Sequence, residues 1–440
     1  MIFFYQIFIH LFNSFIYVAS LFDKKAKLFV KGRKNIFTEL KEISPLLASD
    51  YQRIWFHCAS LGEFEQARPL IEQFRGNTKN KIIITFFSPS GYELQRNYKG
   101  ADGIFYLPID TKLNVKKFLY AVNPTLVFFV KYDLWYNFLN QLHQRNIPTY
   151  LVSANFRQAQ FKGIYGHYLR RVLTFFTHIF VQNEFSEKLL NEQNIKPVTV
   201  SGDLRYDKVF QTVSAPKKNS VIEHFINPSS MDKTATISKP KIIICGSTWE
   251  KDEQMISTLI PKAFGTQLSF RKLSRLKLII APHEINEEHI KKIISSFPDK
   301  SLRYSEISKE PVSSALDKLQ ESKVLIIDNI GMLSNLYQYA DIGYIGGGFG
   351  SGIHNILEAV AFGVPVIFGP NHHKFPEAKE IIEKGGGFSI TNASDLQKAT
   401  ELLLSDEMTL KMASIICKGF VEQRRGAVQK IVDTIHGIGG

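Results

Sequence analysis

Residues 344–370 constrain the fold of this 440-residue chain more than any other stretch. The pattern predicts a short buried strand, a loop with the glycines Gly346, Gly347 and Gly348, a helix, and a second apolar strand before Pro370. Glycines in such a turn let the backbone approach a ligand closely and leave N–H groups to donate to it. We expect a helix to begin near residues 352–354, with its unsatisfied N–H groups facing the same space. The pattern therefore predicts an anion site at the turn.

The residues after these glycines suit a nucleotide. Glu358 comes three residues after Asn355 and four after His354, so the three side chains would share one helix face. A phosphate over the glycine loop and a ribose diol on Glu358 would fit that arrangement. The alternative is a glycine-rich turn in which Glu358 only complements the helix dipole.

Length, charge and cysteine content limit what surrounds this segment. Domains have roughly 150 residues on average, so a chain of 440 residues is expected to form two or three units. The formal net charge of +13 indicates an anionic partner, which could be nucleic acid, an anionic membrane or an acidic substrate. Cys58, Cys245 and Cys417 are scattered and in no metal spacing, which indicates a reducing compartment without structural disulfides.

The N-terminal residues 2–22 carry no formal charge and are mostly apolar and aromatic. Such a run is about long enough to cross the hydrocarbon core of a bilayer. A cleavable signal peptide would have positive charge before the run, whereas here the lysines and arginines follow it, at residues 24–34. We predict a membrane anchor over residues 1–22 with the rest of the chain on the cytoplasmic side. Its polar residues leave open whether it spans the bilayer or lies in the interface, and a buried first helix is the alternative.

Strand and helix signals alternate twice along the chain, which predicts two doubly wound α/β domains with a cleft between them. Strands are predicted at residues 53–58, 81–86, 125–130, 149–152 and 178–182, and again at residues 241–245, 276–281, 324–328 and 342–345. Prolines and polar residues between the two sets are typical of a linker. The predicted boundaries are 23–210 for the N-terminal domain, 211–240 for the linker, 241–425 for the C-terminal domain and 426–440 for a C-terminal helix or tail.

Polar side chains follow the predicted strands of the first domain. Glu63, Ser88, Asp133 and Asn155 all stand just beyond strand ends, where open parallel sheets bind ligands, so we expect them to converge. A carboxylate at position 63 could take a proton from an attacking hydroxyl group. The alternative is a helix-capping role for Glu63 together with Ser60.

Other candidate residues lie nearer the second domain. Ser247 and Thr248 could donate hydroxyl and N–H groups to a phosphate, with an N-cap role as the alternative. Arg205 or Lys208 could stabilise negative charge on a leaving phosphate, unless they are solvated surface residues. His283 could border a base pocket or be an ordinary loop histidine. No two aspartates stand one residue apart, so the common diphosphate–metal signature is missing, and we expect a metal-free mechanism.

In this order and spacing, the motifs resemble the lipid A Kdo transferases, a family of membrane-associated GT-B glycosyltransferases. These enzymes move 3-deoxy-D-manno-octulosonic acid (Kdo) from CMP-Kdo to lipid A precursor. The resemblance covers nearly the whole chain. It is carried by the apolar N-terminus and by residues 57–63, 85–91, 133–135, 155–157, 202–207, 246–248, 328–333 and 346–358.

The resemblance assigns roles position by position. Glu63 matches the family's proton acceptor, and Asp133 and Arg205 match positions that stabilise the transition state. The positions that match CMP-binding segments are Pro282, His283, Gly331, Met332, Leu333, Asn355, Ile356, Leu357 and Glu358.

The chain departs from the family pattern in four places. Residues 131–136 replace two glutamates and a Trp-Pro pair, and His283 stands where the family usually has arginine. Arg205 replaces a common lysine, which keeps the charge and changes its geometry. Trp249 replaces the histidine of a Ser-Thr-His motif.

The resemblance implies a GT-B fold of two Rossmann-like domains facing a central cleft, with no cofactor or metal, and inversion at the anomeric carbon. It also implies the cytoplasmic face of the bacterial inner membrane, whose anionic surface the basic residues would meet. The run 161–176 is a candidate acceptor-side membrane patch, with a buried helix as its alternative. Nucleic acid is not an expected partner, because aromatic residues are not interleaved with the basic ones.

Two alternative functions stay open. One is a UDP-sugar-dependent GT-B enzyme that acts on a lipid, and the other is a non-catalytic membrane-binding protein.

Overall fold

The computed structural model describes residues 2–43, 50–227, 239–260, 276–298 and 300–439. These residues form two compact units, the first made of Met1–Lys208 and Arg424–Gly440 and the second of Val209–Gln423. Each unit has its own sheet and its own hydrophobic core.

The first unit starts with three helices and continues with alternating strands and helices. Its elements are α1 (Ile2–Ala19), α2 (Lys24–Arg33), α3 (Ile36–Ile43), β1 (Gln52–Cys58), α4 (Leu61–Arg75), β2 (Asn80–Phe86), α5 (Pro89–Gln95), β3 (Gly103–Tyr106), α6 (Lys112–Val122), β4 (Leu126–Val130), α7 (Tyr136–Gln144), β5 (Thr149–Ala154), α8 (Gly163–Leu173), β6 (His178–Val181), α9 (Glu184–Glu192), β7 (Val198–Val200) and α10 (Leu204–Ser214), whose last residues belong to the second unit.

The strands of this unit form one parallel sheet in the order β3-β2-β1-β4-β5-β6-β7. Helices cover both faces, so the central strands are buried on both sides and read as continuous apolar runs. The chain runs outward from β1 to β3 and then returns to the other side of β1 as β4. A topological switch point therefore lies between β1 and β4, where such sheets bind ligands.

The second unit repeats this plan. Its elements are α11 (Ser220–Ile226), β8 (Lys241–Thr248), α12 (Glu250–Ile256), β9 (Leu276–Pro282), α13 (Glu287–Ser296), β10 (Ser301–Arg303), α14 (Tyr304–Ile307), α15 (Val312–Glu321), β11 (Val324–Ile326), α16 (Leu333–Leu336), β12 (Ile342–Ile345), α17 (Leu357–Ala361), β13 (Val366–Phe368), α18 (Pro376–Lys384), β14 (Gly387–Ser389), α19 (Ala393–Ser405) and α20 (Glu407–Glu422). The sheet is parallel, in the order β10-β11-β9-β8-β12-β13-β14. Its switch point lies between β8 and β12.

The predicted α/β class, with two Rossmann-like units, is confirmed. Every strand predicted in the described residues is present with small shifts at its ends, and four short strands were missed, namely β3, β7, β10 and β14. The range 211–240 holds the end of α10 and all of α11, while residues 228–238 lie outside the described residues.

The last helix, α21 (Ala427–Gly439), returns to the first unit. Ala427, Ile431 and Ile435 are buried in the same cluster as α4 and β1. Asp207 accepts hydrogen bonds from the N–H groups of Gly426 and Ala427, at 3.0 and 3.1 Å, which holds the start of this helix.

Helix α1 is docked along one face onto the first unit. Ile9 is fully buried, and Tyr5, Phe12 and Ile16 pack beside it. These residues are three or four positions apart, so they lie on one side of the helix. The Tyr5 hydroxyl donates to Asp110 at 2.6 Å, and Gln6 hydrogen-bonds Asn137 at 2.7 Å. Among the described residues, α1 is the one helix long and apolar enough to cross a bilayer, and little of it is buried.

Candidate functional site

Glu63 and Asp133 lie on the two sides of the switch point of the first unit. Glu63 stands in the first turn of α4, after β1, and Asp133 follows β4, the neighbour of β1. Both carboxylates are close enough to the buried Cys58 thiol to raise its pKa, together with the larger effect of burial. The predicted convergence of these two side chains on one end of the sheet therefore agrees with the structure.

Glu63 is oriented by the residue that caps its helix. Ser60 accepts a hydrogen bond from the Gly62 N–H at 3.2 Å, and its hydroxyl donates to Glu63 Oε2. In the predicted alternative, a capping box, the glutamate would accept from the backbone N–H of Ser60. In the structure it contacts the Ser60 side chain instead. Among the described residues, Oε1 of Glu63 has no hydrogen-bond partner, so one carboxylate oxygen is left to accept a proton.

Asp133 is held by a buried chain of hydrogen bonds. Trp55 Nε1 donates to Thr85 Oγ1 at 2.8 Å, Thr85 Oγ1 lies 2.9 Å from His57 Nδ1, and His57 Nε2 lies 2.6 Å from Asp133 Oδ2. If Thr85 donates its one hydrogen to Nδ1, then His57 donates from Nε2 to the carboxylate. The His57 side chain is 0% exposed, whereas that of Asp133 is 20% exposed, so the chain runs from the core to the ligand-binding edge.

Ser88 and Asn155 occupy the neighbouring strand ends but serve the local structure. Ser88 caps α5 and its N–H donates to Ala59 O at 2.8 Å, which ties the ends of β2 and β1 together. The Asn155 side chain accepts from Asn183 and Ser186 at 3.3 and 3.2 Å.

The two predicted cations, Arg205 and Lys208, both have acidic partners. Arg205 makes a two-pronged contact with Asp203, at 2.8 and 2.7 Å, and Lys208 lies 3.6 Å from Glu65. Neither is a solvated surface residue of the kind considered as an alternative. Asp203 is buried, so it fixes the direction of the Arg205 guanidinium.

Arg33 is a further cation that the sequence analysis assigned to the basic stretch after the anchor. Its guanidinium instead points inward and donates to the carbonyl oxygens of Phe29, Phe87 and Leu107 at 2.7–3.1 Å. Burial lowers the pKa of Arg33 to about 9, although the nearby Asp133 carboxylate acts in the opposite direction. The guanidinium therefore lies beside the residues that follow β2 and β3.

In the second unit, the glycine loop follows β12 at the switch point, as expected. Its backbone N–H groups are not all free, which corrects the prediction. Gly346 N–H donates to Gly246 O and Gly347 N–H to Asp252 Oδ2, both at 2.9 Å. A side chain at Gly346 would overlap the backbone of Ser247, and Gly347 has a φ of 90°. The glycines are needed for close packing of β12 against β8 as well as for the turn.

The helix after this loop starts later than predicted and is short. Helix α17 begins at Leu357, and residues 352–354 form part of the loop. The prediction that His354, Asn355 and Glu358 share a helix face is therefore wrong. Asn355 instead accepts from the Leu357 N–H at 3.1 Å and donates to Glu358 Oε1 at 3.3 Å, which keeps those two side chains together. The loop closes on itself because Gly347 O accepts from Gly350 N and Gly352 N.

Thr248 departs from the prediction that its hydroxyl serves a phosphate, whereas for Ser247 that role stays a prediction. Thr248 is fully buried and its hydroxyl donates to Glu253 at 2.9 Å, so it is a structural residue. Glu253 also contacts His289 Nε2 at 2.9 Å, and burial raises the pKa of Glu253. Ser247 has the left-handed φ of 54°, which is strained for serine and places its backbone against the glycine loop.

Asp252 is the residue of this site that the sequence analysis missed. Its carboxylate accepts from Gly347 N and Trp249 N, both at 2.9 Å, and from the Tyr344 hydroxyl at 2.8 Å. It is 1% exposed. One buried carboxylate therefore holds the turn after β8 and the glycine loop after β12. Its position three residues after the capping Trp249 is the signal that could have identified it.

The remaining predicted nucleotide contacts surround the same edge. Pro282 ends β9, and His283 follows it with its ring stacked on Trp249. Gly331, Met332 and Leu333 lead into α16, where Leu333 packs against Gly246. Ile356 and Leu357 are buried, so they anchor α17. Among the described residues, no group of three or more His, Cys, Asp and Glu side chains is arranged to hold a metal ion.

Comparison with known proteins relates the chain to one family of enzymes. A family model described as 3-deoxy-D-manno-octulosonic-acid transferase (kdotransferase) matches residues 31–208. The 3-deoxy-D-manno-octulosonic acid transferase of Haemophilus influenzae is 26% identical over 394 residues, with 87% of this chain and 86% of that protein covered. The enzyme of the same name from Aquifex aeolicus is 27% identical over 380 residues, with 84% and 92% covered.

Two further comparisons concern length and fold. A bifunctional glycosyltransferase/methyltransferase of Fusobacterium nucleatum is 25% identical over 398 residues, and the match spans 87% of this chain and only 56% of that protein. The crystal structure of UDP-GlcNAc 2-epimerase from Neisseria meningitidis bound to UDP-GlcNAc has a TM-score of 0.59 at 17% identity, with 87% of this chain and 99% of that chain covered. This last likeness concerns the fold alone, which is of the GT-B type.

Proposed function

This chain is a glycosyltransferase related to the 3-deoxy-D-manno-octulosonic acid transferases, and on that premise we propose that it transfers Kdo from CMP-Kdo to a lipid A precursor. The observation that carries the proposal is the pair of carboxylates, Glu63 and Asp133, at the switch point of the first unit. The glycine loop at the switch point of the second unit supports it, because that is where doubly wound sheets bind nucleotides.

In this proposal Glu63 is the general base. Oε1 accepts the proton of a lipid A hydroxyl group while that oxygen attacks the anomeric carbon of Kdo. The bond to the CMP phosphate breaks as the new glycosidic bond forms, from the opposite face, so the configuration inverts. The Ser60 hydroxyl on Oε2 keeps the carboxylate pointed in one direction, which a general base requires.

Asp133 and Arg205 orient and stabilise the reacting groups. A fixed carboxylate at position 133 stabilises positive charge that develops on the sugar ring, and His57 keeps it from rotating. Arg205, whose direction is set by Asp203, stabilises negative charge on the phosphate. No metal is part of the proposal, because the leaving CMP carries less charge than a nucleoside diphosphate.

On the donor side, we assign the ribose diol to Glu358. Its Oε1 is 3.3 Å from the amide nitrogen of Asn355, so the two polar groups act as one recognition element. The phosphate is assigned to the glycine loop. Backbone N–H groups there are partly used in the fold, so neighbouring side chains must complete that site.

We assign the chain to the cytoplasmic face of an anionic inner membrane, with α1 lying in the interface. An α-helix of 18 residues is about 27 Å long, slightly shorter than a hydrocarbon core of about 30 Å. The face with Tyr5 and Ile9 is docked on the protein, whereas Phe4, Phe8 and Phe15 on the other side are 58–72% exposed. A helix with one docked face and one exposed apolar face suits an interfacial position.

The run 161–176, considered as a membrane patch, divides into two parts. Phe161, Phe175 and Phe176 are buried, which agrees with the alternative of a buried helix. Ile164 and Tyr165 at the start of α8 are 84% and 52% exposed, and Tyr168 of the same helix stacks on Tyr5 of α1. Helix α8 therefore contacts α1 through Tyr168, and its first turn carries two exposed side chains, Ile164 and Tyr165.

The test is a donor screen with the purified chain and lipid A precursor. CMP-Kdo should yield a product heavier than the acceptor by one or more Kdo residues, as read by mass spectrometry. Transfer from a UDP-sugar and none from CMP-Kdo would instead establish the alternative GT-B activity. Membrane binding without any transfer, unchanged in Glu63→Ala, would establish a non-catalytic protein.

A further inference from the structure

Three aromatic rings of the second unit form a stacked cluster at the switch point. The centroids of Trp249 and His283 are 4.5 Å apart with 24° between the planes, and those of His283 and His354 are 4.6 Å apart with 28°. The three residues follow β8, β9 and β12 respectively. The cluster therefore crosses the place where a nucleotide is expected.

A hydrogen bond inside the cluster determines the tautomer of one histidine. Trp249 Nε1 and His354 Nε2 are 3.2 Å apart, and an indole nitrogen can only donate. Nε2 of His354 must then be unprotonated, so the ring is neutral and carries its hydrogen on Nδ1. Burial and the neighbouring His283 also lower the pKa of His354. Within the described residues Nδ1 of His354 has no hydrogen-bond partner, so this N–H remains available to a ligand.

The cluster and the glycine loop form one assembly. A Cβ atom at Gly347 would lie 3.0 Å from Cδ2 of His354, so the imidazole rests directly on the loop. Asp252 links the cluster to the glycine loop, because its carboxylate accepts hydrogen bonds from the N–H groups of both Trp249 and Gly347. Trp249 is 39% exposed, so its ring can also meet a ligand.

We propose that Trp249 determines donor specificity by holding His354 as a neutral N–H donor toward the phosphate of the donor nucleotide. The inference rests on the proposed CMP-sugar donor. A neutral donor adds a hydrogen bond without adding positive charge. Such a site suits the single negative charge of a nucleoside monophosphate ester better than the charge of a nucleoside diphosphate, which cations serve better. Two positions where the chain departs from the family pattern, 249 and 283, thus act together in one cluster.

The proposal predicts coupling between Trp249 and His354 in nucleotide affinity. Calorimetry with CMP and with CDP, which share the base and differ in the phosphate, should be done on the full chain and on Trp249→Phe, His354→Phe and the double variant. Trp249→Phe keeps a stacking ring and loses the indole N–H, so we expect CMP binding weaker by about 2- to 13-fold. Once His354 is replaced, the tryptophan substitution should have no further effect, and the preference for CMP over CDP should fall in each single variant.

Two further measurements separate a loss of nucleotide binding from a loss of folding, and separate this inference from the proposed function. The exposed His436 of α21 gives a matched control, His436→Phe, with unchanged CMP affinity. CMP should also change the tryptophan emission of the wild-type chain and not that of Trp249→Phe. Additive effects of the two substitutions, or unchanged CMP affinity in Trp249→Phe, would overturn the inference while the proposed function stands. A wild-type chain that binds UDP and not CMP would overturn the proposed function itself.

Discussion

His57 Nε2 and the Asp133 carboxylate lie 2.6 Å apart and join the core of the first unit to its ligand-binding edge. The two residues are 76 positions apart in the chain and meet because β1 and β4 are neighbours in the sheet. A polar chain whose inner members are buried holds one geometry, since any unpaired buried member would be costly. The orientation of Asp133 thus depends on Trp55, Thr85 and His57, which are all buried behind it.

Replacing His57 should therefore lower the rate without preventing substrate binding. In His57→Phe the carboxylate loses a hydrogen bond to a charged group, worth about 1.5–3 kcal/mol, so we expect kcat to fall about 10- to 150-fold with little change in KM. His57→Gln restores a side-chain N–H and should recover part of the rate. Steady-state kinetics, with thermal unfolding as the folding control, tests this. Equal losses in the Gln and Phe variants would argue for a purely structural role.

Glu358 should matter for the donor and not for the chemical step. In Glu358→Ala the ribose diol loses its acceptor, and we expect CMP affinity to fall about tenfold, as for one hydrogen bond to a charged group. Calorimetry measures this directly. Glu383→Ala, an exposed glutamate on α18, is the control. Unchanged CMP affinity in Glu358→Ala would remove the ribose role.

Asp110 should make the docking of α1 dependent on pH. Burial raises the pKa of Asp110 to about 7, against the opposing effect of three accepted hydrogen bonds, from Tyr5, Asn137 and Phe138. The unfolded carboxyl titrates near its ordinary value, so the folded state binds more protons between about pH 4 and pH 7. The stabilising contribution of protonated Asp110 is then present below this window and lost as the pH rises through it.

The measurement is the difference in unfolding free energy between the wild-type chain and Asp110→Asn at several pH values. Because the substituted residue does not titrate, the difference isolates position 110. We expect the wild-type chain to lose stability relative to Asp110→Asn from pH 4 to pH 8. A relative gain over that range would mean that the three hydrogen bonds keep Asp110 ionised in the folded state.

The exposed face of α1 should carry membrane binding. Each phenylalanine transferred from water contributes on the order of 1.5–3 kcal/mol, so Phe8→Ser with Phe15→Ser should weaken binding to anionic vesicles more than tenfold. Tyr120→Ser removes an even more exposed ring from α6 and should have no effect. Co-sedimentation measures both. Undiminished binding of the double variant would place the membrane contact elsewhere.

The interfacial position of α1 has its own test. A tag placed before residue 2 should stay protected from protease added outside spheroplasts, because both ends of an interfacial helix face the cytoplasm. Cleavage of the tag from outside would show that α1 spans the membrane.

The two sheets were predictable because buried parallel strands read as continuous apolar runs, such as Leu126–Val130. The strands that were missed have three or four residues, and β3 and β10 include glycine, serine or arginine, so their apolar signal is weak. The sequence does not show which strands are neighbours in a sheet. The contact between His57 and Asp133 depends on β1 lying next to β4, so it could not be predicted.

The glycine loop shows where local patterns fail. Its residues 352–354 look like a helix start, yet Asn371 N–H donates to Gly348 O at 2.9 Å and Ile353 N–H to Asn371 O at 3.3 Å. These bonds to a loop that comes later in the chain hold residues 352–354 in an irregular conformation. The role of Asp252 is hidden for the same reason, because its partners Tyr344 and Gly347 are 92 and 95 positions away.

The most direct test of the central claim is the rate of Kdo transfer from CMP-Kdo to lipid A precursor by Glu63→Gln. Glutamine keeps the size and polarity of the side chain but cannot take the proton, so we predict a fall in kcat of about 10²- to 10⁴-fold with unchanged CMP affinity. Glu72→Gln, on a later turn of α4, should transfer Kdo at the wild-type rate. A Glu63→Gln chain with near-wild-type kcat would contradict the account.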